Sequence, residues 1–190
     1  VTKFTFRIGS VVISMERLLT EKKQLVLIRY TLEEATDPVT LRLRPFLAFR
    51  NIHSLCKANL FVNNKYNIVT NGISTRLYDG YPDLFMQFSK SNEYIPVPVW
   101  YYNIEYQKEL NRGYEYLEDL FVPGYFELQV RPGESFIFAA GTEEVNPRSL
   151  KQTFTKEQKK RSQRLTFIAS LKQAAQEFII QRKGETDIIA

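Results

Sequence analysis

The segment YFELQVRPGESFIFAAGT, residues 125–142, contains two runs of strand-forming residues separated by a turn. Apolar and polar side chains alternate in residues 125–131, and residues 135–142 are rich in Phe and Ile, which are enriched in strands. Pro132, Gly133 and Glu134 lie between the runs, and a Pro-Gly pair favours a turn. The segment is therefore predicted to form an antiparallel β-hairpin, and it favours an all-β fold.

The same two-residue period continues at the N-terminal end of the chain. Apolar residues occupy every second position in residues 4–8 and again in residues 39–43, with Thr or Arg between them. Residues 11–19 and 24–33 have the character of two more strands. Because the connections are short, these four consecutive strands are predicted to pair antiparallel.

The middle of the chain changes character and then returns to strands. Residues 51–71 hold six Asn without a sustained period and are predicted to form a long loop. Further strands are predicted at residues 72–78, 83–89 and 95–102. Pro96 and Pro98 remove two ladder donors, which places the last of these at a sheet edge. Eight or nine strands without intervening helices predict an antiparallel β-sandwich of the supersandwich type.

The pattern becomes helical after Pro147. Thr155 and Gln158 have the spacing of a capping box, and apolar residues follow at helical intervals. One long C-terminal helix, either continuous or interrupted, is predicted over about residues 156–182, with Gly184 as its stop. The expected domains are a β-sandwich at 1–148 and, at 149–190, a linker helix leading to a further domain.

Composition and charge restrict the classes of function. The chain has 26 basic and 21 acidic residues, a formal charge of +5, and much of the excess lies in residues 156–164. These cations are not interleaved with aromatic residues on a sheet face, which disfavours nucleic acid as a partner. A single cysteine, Cys56, excludes an internal disulfide and favours a reducing, cytoplasmic location. The sequence shows no metal-ligand cluster, cofactor motif, signal peptide or membrane-spanning run.

Residues 100–124 are predicted to form a long, functional loop between strands. Trp100, Tyr101 and Tyr106 offer flat rings for stacking on a sugar, and Arg112 with the acidic pair 118–119 offers groups for hydrogen bonds to hydroxyls. A structural interpretation stays open, in which the rings cover one end of the sandwich and the acids pair with Arg112.

The candidate carboxylates are a poor catalytic pair. Glu118 and Asp119 are adjacent, so in an extended chain they point to opposite faces and not toward one scissile bond. His53, the only histidine, is expected to bind a loop or the backbone, and Cys56 is expected to be a small buried residue. No catalytic residue is therefore predicted within the chain.

Two motifs resemble the N-terminal domain of bacterial and archaeal glycogen-debranching enzymes. The first is W-Y-x-x-x-E-Y-x-x-E-x-x-R-G-Y-x-x-x-E-D-L-x-x-P-G at residues 100–124, and the second is R-P-x-x-x-F-R-x-x-H-S-L at residues 44–55. Residues 174–190 resemble the helix and strand that enter the catalytic domain of that family. The resemblance spans nearly the whole chain.

The resemblance implies a β-sandwich that precedes an α/α-barrel whose carboxylates hydrolyse α-1,6 branches of glycogen. It implies that the barrel begins near Ala190, that N-terminal strands precede Val1, and that this domain is inactive alone. Its partners would be α-glucan and its own barrel, and it would need no cofactor. Arg50 and His53, with the residues at 100–124, are expected to border the active site or the interdomain contact. A stand-alone carbohydrate-binding module and a purely structural domain remain alternatives.

Overall fold

Residues 2–20, 23–162, 166–182 and 185–188 are described by the computed structural model, and the chain divides into two units, Val1–Gln158 and Lys159–Ala190. The first unit holds twelve of the strands, a short helix, and most of a second helix. Its elements are β1 (Thr2–Ile8), β2 (Val11–Leu19), β3 (Leu25–Glu34), β4 (Val39–Leu43), β5 (Tyr66–Val69), β6 (Gly72–Thr75), β7 (Leu84–Phe88), β8 (Glu93–Ile95), β9 (Val99–Glu105), α1 (Gln107–Asn111), β10 (Leu117–Val122), β11 (Tyr125–Val130), β12 (Ser135–Gly141) and α2 (Leu150–Ser162).

The strands of the first unit form two main sheets and a ribbon. Seven strands pair in the order β1-β2-β3-β12-β7-β6-β5, and a second sheet has the order β4-β11-β8. Strands β9 and β10 form a two-stranded antiparallel ribbon, and an isolated bridge between Leu47 and Phe121 joins it to the segment after β4. All of these pairings are antiparallel, so the predicted antiparallel β-sandwich is confirmed.

The core lies between the seven-stranded and the three-stranded sheet. Phe126, Leu128 and Val130 are buried at alternate positions of β11, as the period of a strand requires. They share one apolar cluster with Phe88 of β7 and Phe136 of β12, and the Phe88 and Phe126 ring centroids are 4.8 Å apart. Burying a side chain of this size stabilises the fold by about 1.5–3 kcal/mol, so this cluster is the main source of cohesion.

The predicted hairpin at residues 125–142 is wrong. β11 pairs with β4 and β8, whereas β12 pairs with β3 and β7, so the turn between them carries the chain from one sheet to the other. Gly133 has φ +78°, and its amide donates to the Leu32 carbonyl of β3 at 2.7 Å. Crossing between the sheets places the apolar faces of the two strands opposite each other across the core. Strand β4 pairs with β11 in the three-stranded sheet and not with β3, so the predicted antiparallel pairing of the first four strands is confirmed only for β1 to β3.

Helix α2 covers the other face of the seven-stranded sheet. Leu150 and Phe154 are buried against Leu27 and Ile137, which lie on the face of β3 and β12 opposite the sandwich core. The Arg29 guanidinium lies 4.6 Å from the centre of the Phe154 ring. Strand β12 is therefore buried on both faces, which suits its continuous apolar run.

Several predicted boundaries need correction. The predicted loop 51–71 ends in a strand, β5, at the edge of the large sheet. The predicted strand 95–102 is two strands, because Pro96 and Pro98 interrupt the ladder between β8 and β9. The predicted long loop 100–124 is the β9–β10 ribbon with α1 at its tip. The turn predicted at residues 79–82 is confirmed, with Gly80 at φ +85°.

The second unit contains α3 (Phe167–Glu177) followed by an antiparallel pair, β13 (Ile179–Arg182) and β14 (Glu185–Ile188). The helix predicted over residues 156–182 is interrupted and ends early: α2 has 13 residues, α3 has 11, and residues 179–182 form a strand. Thr155 is no cap, because it lies inside α2, whereas Thr166 caps α3 by accepting from Ala169. The predicted stop at Gly184 lies outside the described residues.

Candidate functional site

Glu118 and Asp119 of β10 are buried, although both are carboxylates. They lie where the segment after β4 folds back onto the β9–β10 ribbon, and the Asp119 amide donates to the Cys56 carbonyl at 2.8 Å. A buried charge is stable in a protein only when it is paired or fully hydrogen-bonded. The donors around these two residues therefore define the site.

The Glu118 carboxylate receives four hydrogen bonds. Arg50 donates through Nε to Oε1 and through Nη2 to Oε2, the latter at 3.1 Å, which is the two-pronged geometry that a guanidinium favours. The Cys56 amide donates to Oε1 at 3.0 Å, and the Tyr106 hydroxyl donates to Oε2 at 2.6 Å. The Glu118 carboxylate of β10 thus binds both the segment that holds Arg50 and Cys56 and the side chain of Tyr106, the residue before α1.

Asp119 binds a separate set of donors, as expected for adjacent residues of a strand. The Ala58 amide donates to Oδ2 at 2.9 Å and the Asn103 amide to Oδ1 at 2.8 Å, with the Lys57 ammonium 4.0 Å away. Asn103 has φ +56° and lies where the register between β9 and β10 shifts. The irregularity is consistent with a β-bulge, and Asp119 binds the Asn103 amide at this point.

These contacts keep both carboxylates ionised. Burial opposes the charge on Glu118, but the hydrogen bonds from Arg50, Tyr106 and the Cys56 amide outweigh it and hold the Glu118 pKa below its ordinary value. The amides of Ala58 and Asn103 lower the pKa of Asp119. The bond to Glu118 raises the pKa of Arg50, and burial raises that of the Tyr106 hydroxyl.

The aromatic candidates do not form an exposed platform. Trp100 is half-buried, and its ring packs edge-on against Phe121 with centroids 5.3 Å apart. Tyr101 is also half-buried, and its hydroxyl accepts from Arg44 at 2.7 Å. The Tyr106 hydroxyl is engaged by Glu118. All three side chains are partly buried and contact other residues of the chain, so they brace the ribbon.

The two remaining candidates, His53 and Arg112, are exposed. His53 follows Arg50 closely, and its amide donates to the Asn51 side chain at 2.9 Å. Arg112 follows the last turn of α1, at the tip of the ribbon. The structural interpretation that the acids pair with Arg112 is wrong, because Arg50 is the partner of Glu118 and leaves Arg112 at the surface.

Sequence reasoning found the two carboxylates and Arg50 but missed most of their partners. The amides of Cys56, Ala58 and Asn103 carry no side-chain signal, so no residue pattern identifies them. Asn103 offers one local cue, since Asn enters the left-handed region more readily than most residues. The Arg44–Tyr101 contact joins residues 57 positions apart and needs the tertiary fold.

The oxygen atoms of both carboxylates are occupied by hydrogen-bond donors of this chain. Every Glu118 and Asp119 oxygen accepts at least one hydrogen bond, and lowered pKa values make these groups poor proton donors. Within the described ranges, no group of three or more His, Cys, Asp or Glu side chains is placed to hold a metal ion. Across the same ranges, no helix is long and apolar enough to cross a membrane.

The fold and the site define an antiparallel β-sandwich domain with a ribbon fastened to a neighbouring segment by a buried ion pair. The family described as glycogen debranching enzyme N terminal matches residues 1–137, and this chain belongs to that family. A comparison with curated proteins gives no match. The family assigned by the comparison agrees with the resemblance carried by residues 44–55 and 100–124.

Proposed function

We propose that this chain is the non-catalytic part of a glycogen-debranching enzyme and that it borders or supports the active site of a C-terminal α/α-barrel. The barrel would hydrolyse α-1,6 branches of glycogen in the cytoplasm. The observation that carries this proposal is the ion pair between Arg50 and Glu118, which fixes the segment at 50–58 against the ribbon. Such bracing suits a surface that must keep its shape for a substrate or another domain.

The state of Glu118 and Asp119 supports the proposal that this domain is non-catalytic. Glycoside hydrolysis requires two carboxyl groups across the scissile bond, roughly 5–5.5 Å apart in retaining and 6.5–9.5 Å apart in inverting enzymes. One of them must act as an acid, and this role favours a raised pKa. Glu118 and Asp119 instead have lowered pKa values, and both are buried among donors of their own chain.

The contact surface consists of exposed side chains on the two fastened segments. His53 lies on the segment at 50–58, and Arg112 lies at the ribbon tip, with Tyr102 and Tyr114 exposed on the same ribbon. These groups supply hydrogen-bond donors and rings, the chemistry that sugars and domain interfaces use. Residues 149–190, which contain α2, α3 and the pair β13 and β14, would then provide the link to the barrel and the entry into it.

The test is kinetic and uses the debranching enzyme that contains this domain. Arg112→Ala is expected to raise KM for glycogen by about tenfold, because it removes a charged donor from the contact. Lys108→Ala, at an exposed position of α1, the helix that Arg112 follows, is the matched control and should leave KM unchanged. Equal kinetics for both variants and wild type, at equal thermal stability, would contradict the proposal.

A purely structural role is favoured by one specific observation: the half-buried Trp100 contacts the chain's own Phe121. The variant Trp100→Ala distinguishes a purely structural role from a role at the active site. A structural role predicts a less stable enzyme with normal kinetics in the folded fraction, whereas a role at the active site predicts altered KM or kcat as well. Melting curves and initial rates measured on the same preparations distinguish these results.

A further inference from the structure

The outer face of the three-stranded sheet carries a row of polar side chains. Strands β4 and β11 are in register there, so that Arg42 lies opposite Glu127 and Thr40 lies opposite Gln129. Arg42 donates to Glu127 at 2.5 Å, and the Gln129 amide donates to the Thr40 hydroxyl at 2.6 Å. The inward residues between them form the core, so this face is held on a rigid support.

A groove of about 650 Å³ lies at one end of this face. Thr40, Glu127 and Gln129 form part of its lining, together with Glu93 of β8 and the preceding residue, Asn92. Ligand sites in proteins commonly have volumes of about 300–1,000 Å³. The groove thus has room for several sugar residues, and neither Arg50 nor Glu118 is among its lining residues.

The charges in the groove are nearly balanced. Its lining holds two basic residues, Lys90 and Arg131, and three acidic ones, Glu93, Glu127 and Glu134. Lys90 is engaged by Glu134 at 2.5 Å and by the Gln129 carbonyl at 2.7 Å. A polyanion would meet no excess of positive charge here. The amides, hydroxyls and carboxylates instead suit a neutral ligand that is rich in hydroxyl groups.

Beyond Glu127, the polar face continues with Arg42 and Arg44, whose guanidinium groups lie over the ring of Tyr125. The guanidinium carbons of Arg42 and Arg44 lie 5.2 Å and 5.6 Å from the centre of the Tyr125 ring. Arg44 also donates to the Tyr101 hydroxyl. Arg42 keeps 60% of its side-chain surface exposed, so its outer N–H groups remain accessible to a ligand. These fixed donors extend the polar face away from the groove.

We propose that this outer face, from the groove at Gln129 to Arg42, is a second binding surface for a linear α-1,4-linked glucan segment, separate from the surface at Arg50 and Arg112. The inference rests on the proposed function in one respect, since it takes the polysaccharide of a debranching enzyme as the ligand. A surface of this kind holds an outer chain of a branched polymer while another part of the enzyme acts on the branch.

The experiment is a titration of the 190-residue chain with maltoheptaose, followed by calorimetry and by amide chemical shifts. Shifts are expected at residues 40, 93, 127 and 129. Gln129→Ala should weaken binding by about fivefold, the equivalent of one neutral hydrogen bond. Glu93→Gln tests the part of the groove that β8 contributes, and Gln107→Ala, on the exposed surface of α1, is the control without an expected effect. Melting temperatures establish that each variant is folded.

Three results would overturn the inference. The first is no binding by the wild-type chain, and the second is binding that Arg112→Ala abolishes but Gln129→Ala leaves unchanged. The third is displacement of maltoheptaose by dextran sulfate with higher affinity, which would identify a surface for polyanions. None of these measurements depends on catalysis, whereas the kinetic test of Arg112 does, so failure of this inference and failure of the proposed function are distinguishable.

Discussion

Replacement of Glu118 by Gln tests directly whether the buried ion pair fastens the two segments of the site. Glutamine keeps the volume of the side chain but removes the charge, and its amide nitrogen is a donor. At the Oε1 position that nitrogen would face Arg50 Nε and the Cys56 amide, which are both donors. At the Oε2 position it can donate to the Tyr106 hydroxyl, but it still faces Arg50 Nη2. At least one bond to Arg50 is lost in either orientation.

The magnitude follows from the burial of both partners. Removing one member of a buried ion pair costs about 3–5 kcal/mol. Arg50 keeps 21% of its side-chain surface exposed and can regain some hydration, so we expect about 3 kcal/mol for Glu118→Gln. For a chain of this length that loss lowers the melting temperature by roughly 6–12 °C.

The assay is urea unfolding of the 190-residue chain, monitored by fluorescence of Trp100, the only tryptophan. Because this ring packs on Phe121 within the ribbon, its signal reports on the first unit. Glu115→Gln, at an exposed carboxylate of the same segment, is the matched control and should change the free energy of unfolding by less than about 0.5 kcal/mol. If Glu118→Gln cost no more than this control, the reasoning about the buried pair would be refuted.

Three further predictions concern pH, the covering helix and a glycine. The pKa values of Glu118 and Asp119 are lower in the folded than in the unfolded chain, so the stability that their charges contribute is present above the unfolded pKa values and is lost as the pH falls through the folded pKa values. The difference in unfolding free energy between wild type and Glu118→Gln should therefore shrink below about pH 4. A constant difference in urea unfolding experiments from pH 7 to pH 3 would contradict this. Phe154→Ala, at a fully buried position of α2, should cost about 3–5 kcal/mol in urea unfolding, whereas Phe167→Ala, at a ring that is 78% exposed, should cost little. Gly124→Ala would place a methyl group 2.3 Å from the Ile95 carbonyl oxygen and should cost about 1–3 kcal/mol, so an unchanged melting temperature would show that this contact relaxes freely.

The two-residue period predicted the class of fold and most strands correctly. Strands β1 to β4 and the pair β6 and β7 lie close to their predicted positions, because the alternation of apolar and polar residues and the strand-forming residue types are local properties of the sequence. Pairing is a different matter. The alternation in residues 125–130 is the same whether β11 pairs with its neighbour β12 or with β4 and β8, and it does not distinguish between them.

The candidate site shows the same division. Residue types identified Tyr106, Glu118 and Asp119 as candidates, and the motifs at 44–55 and 100–124 indicated the family and added Arg50. The sequence alone suggested Arg112 as the partner of the acids, since it is the nearest arginine along the chain. The actual partner of Glu118 is Arg50, 68 residues away.

The sequence by itself therefore determined an all-β chain, its family, and the identity of most of the side chains at the site. Only the tertiary structure decided that the 125–142 segment crosses between sheets and that Glu118 and Asp119 are enclosed by donors. The physical reason is that periodicity records which face of an element is buried, whereas pairing and burial of charge depend on contacts between segments far apart in the chain. Through those contacts Glu118 and Asp119 hold two segments of the chain together, whereas His53 and Arg112 remain at the surface.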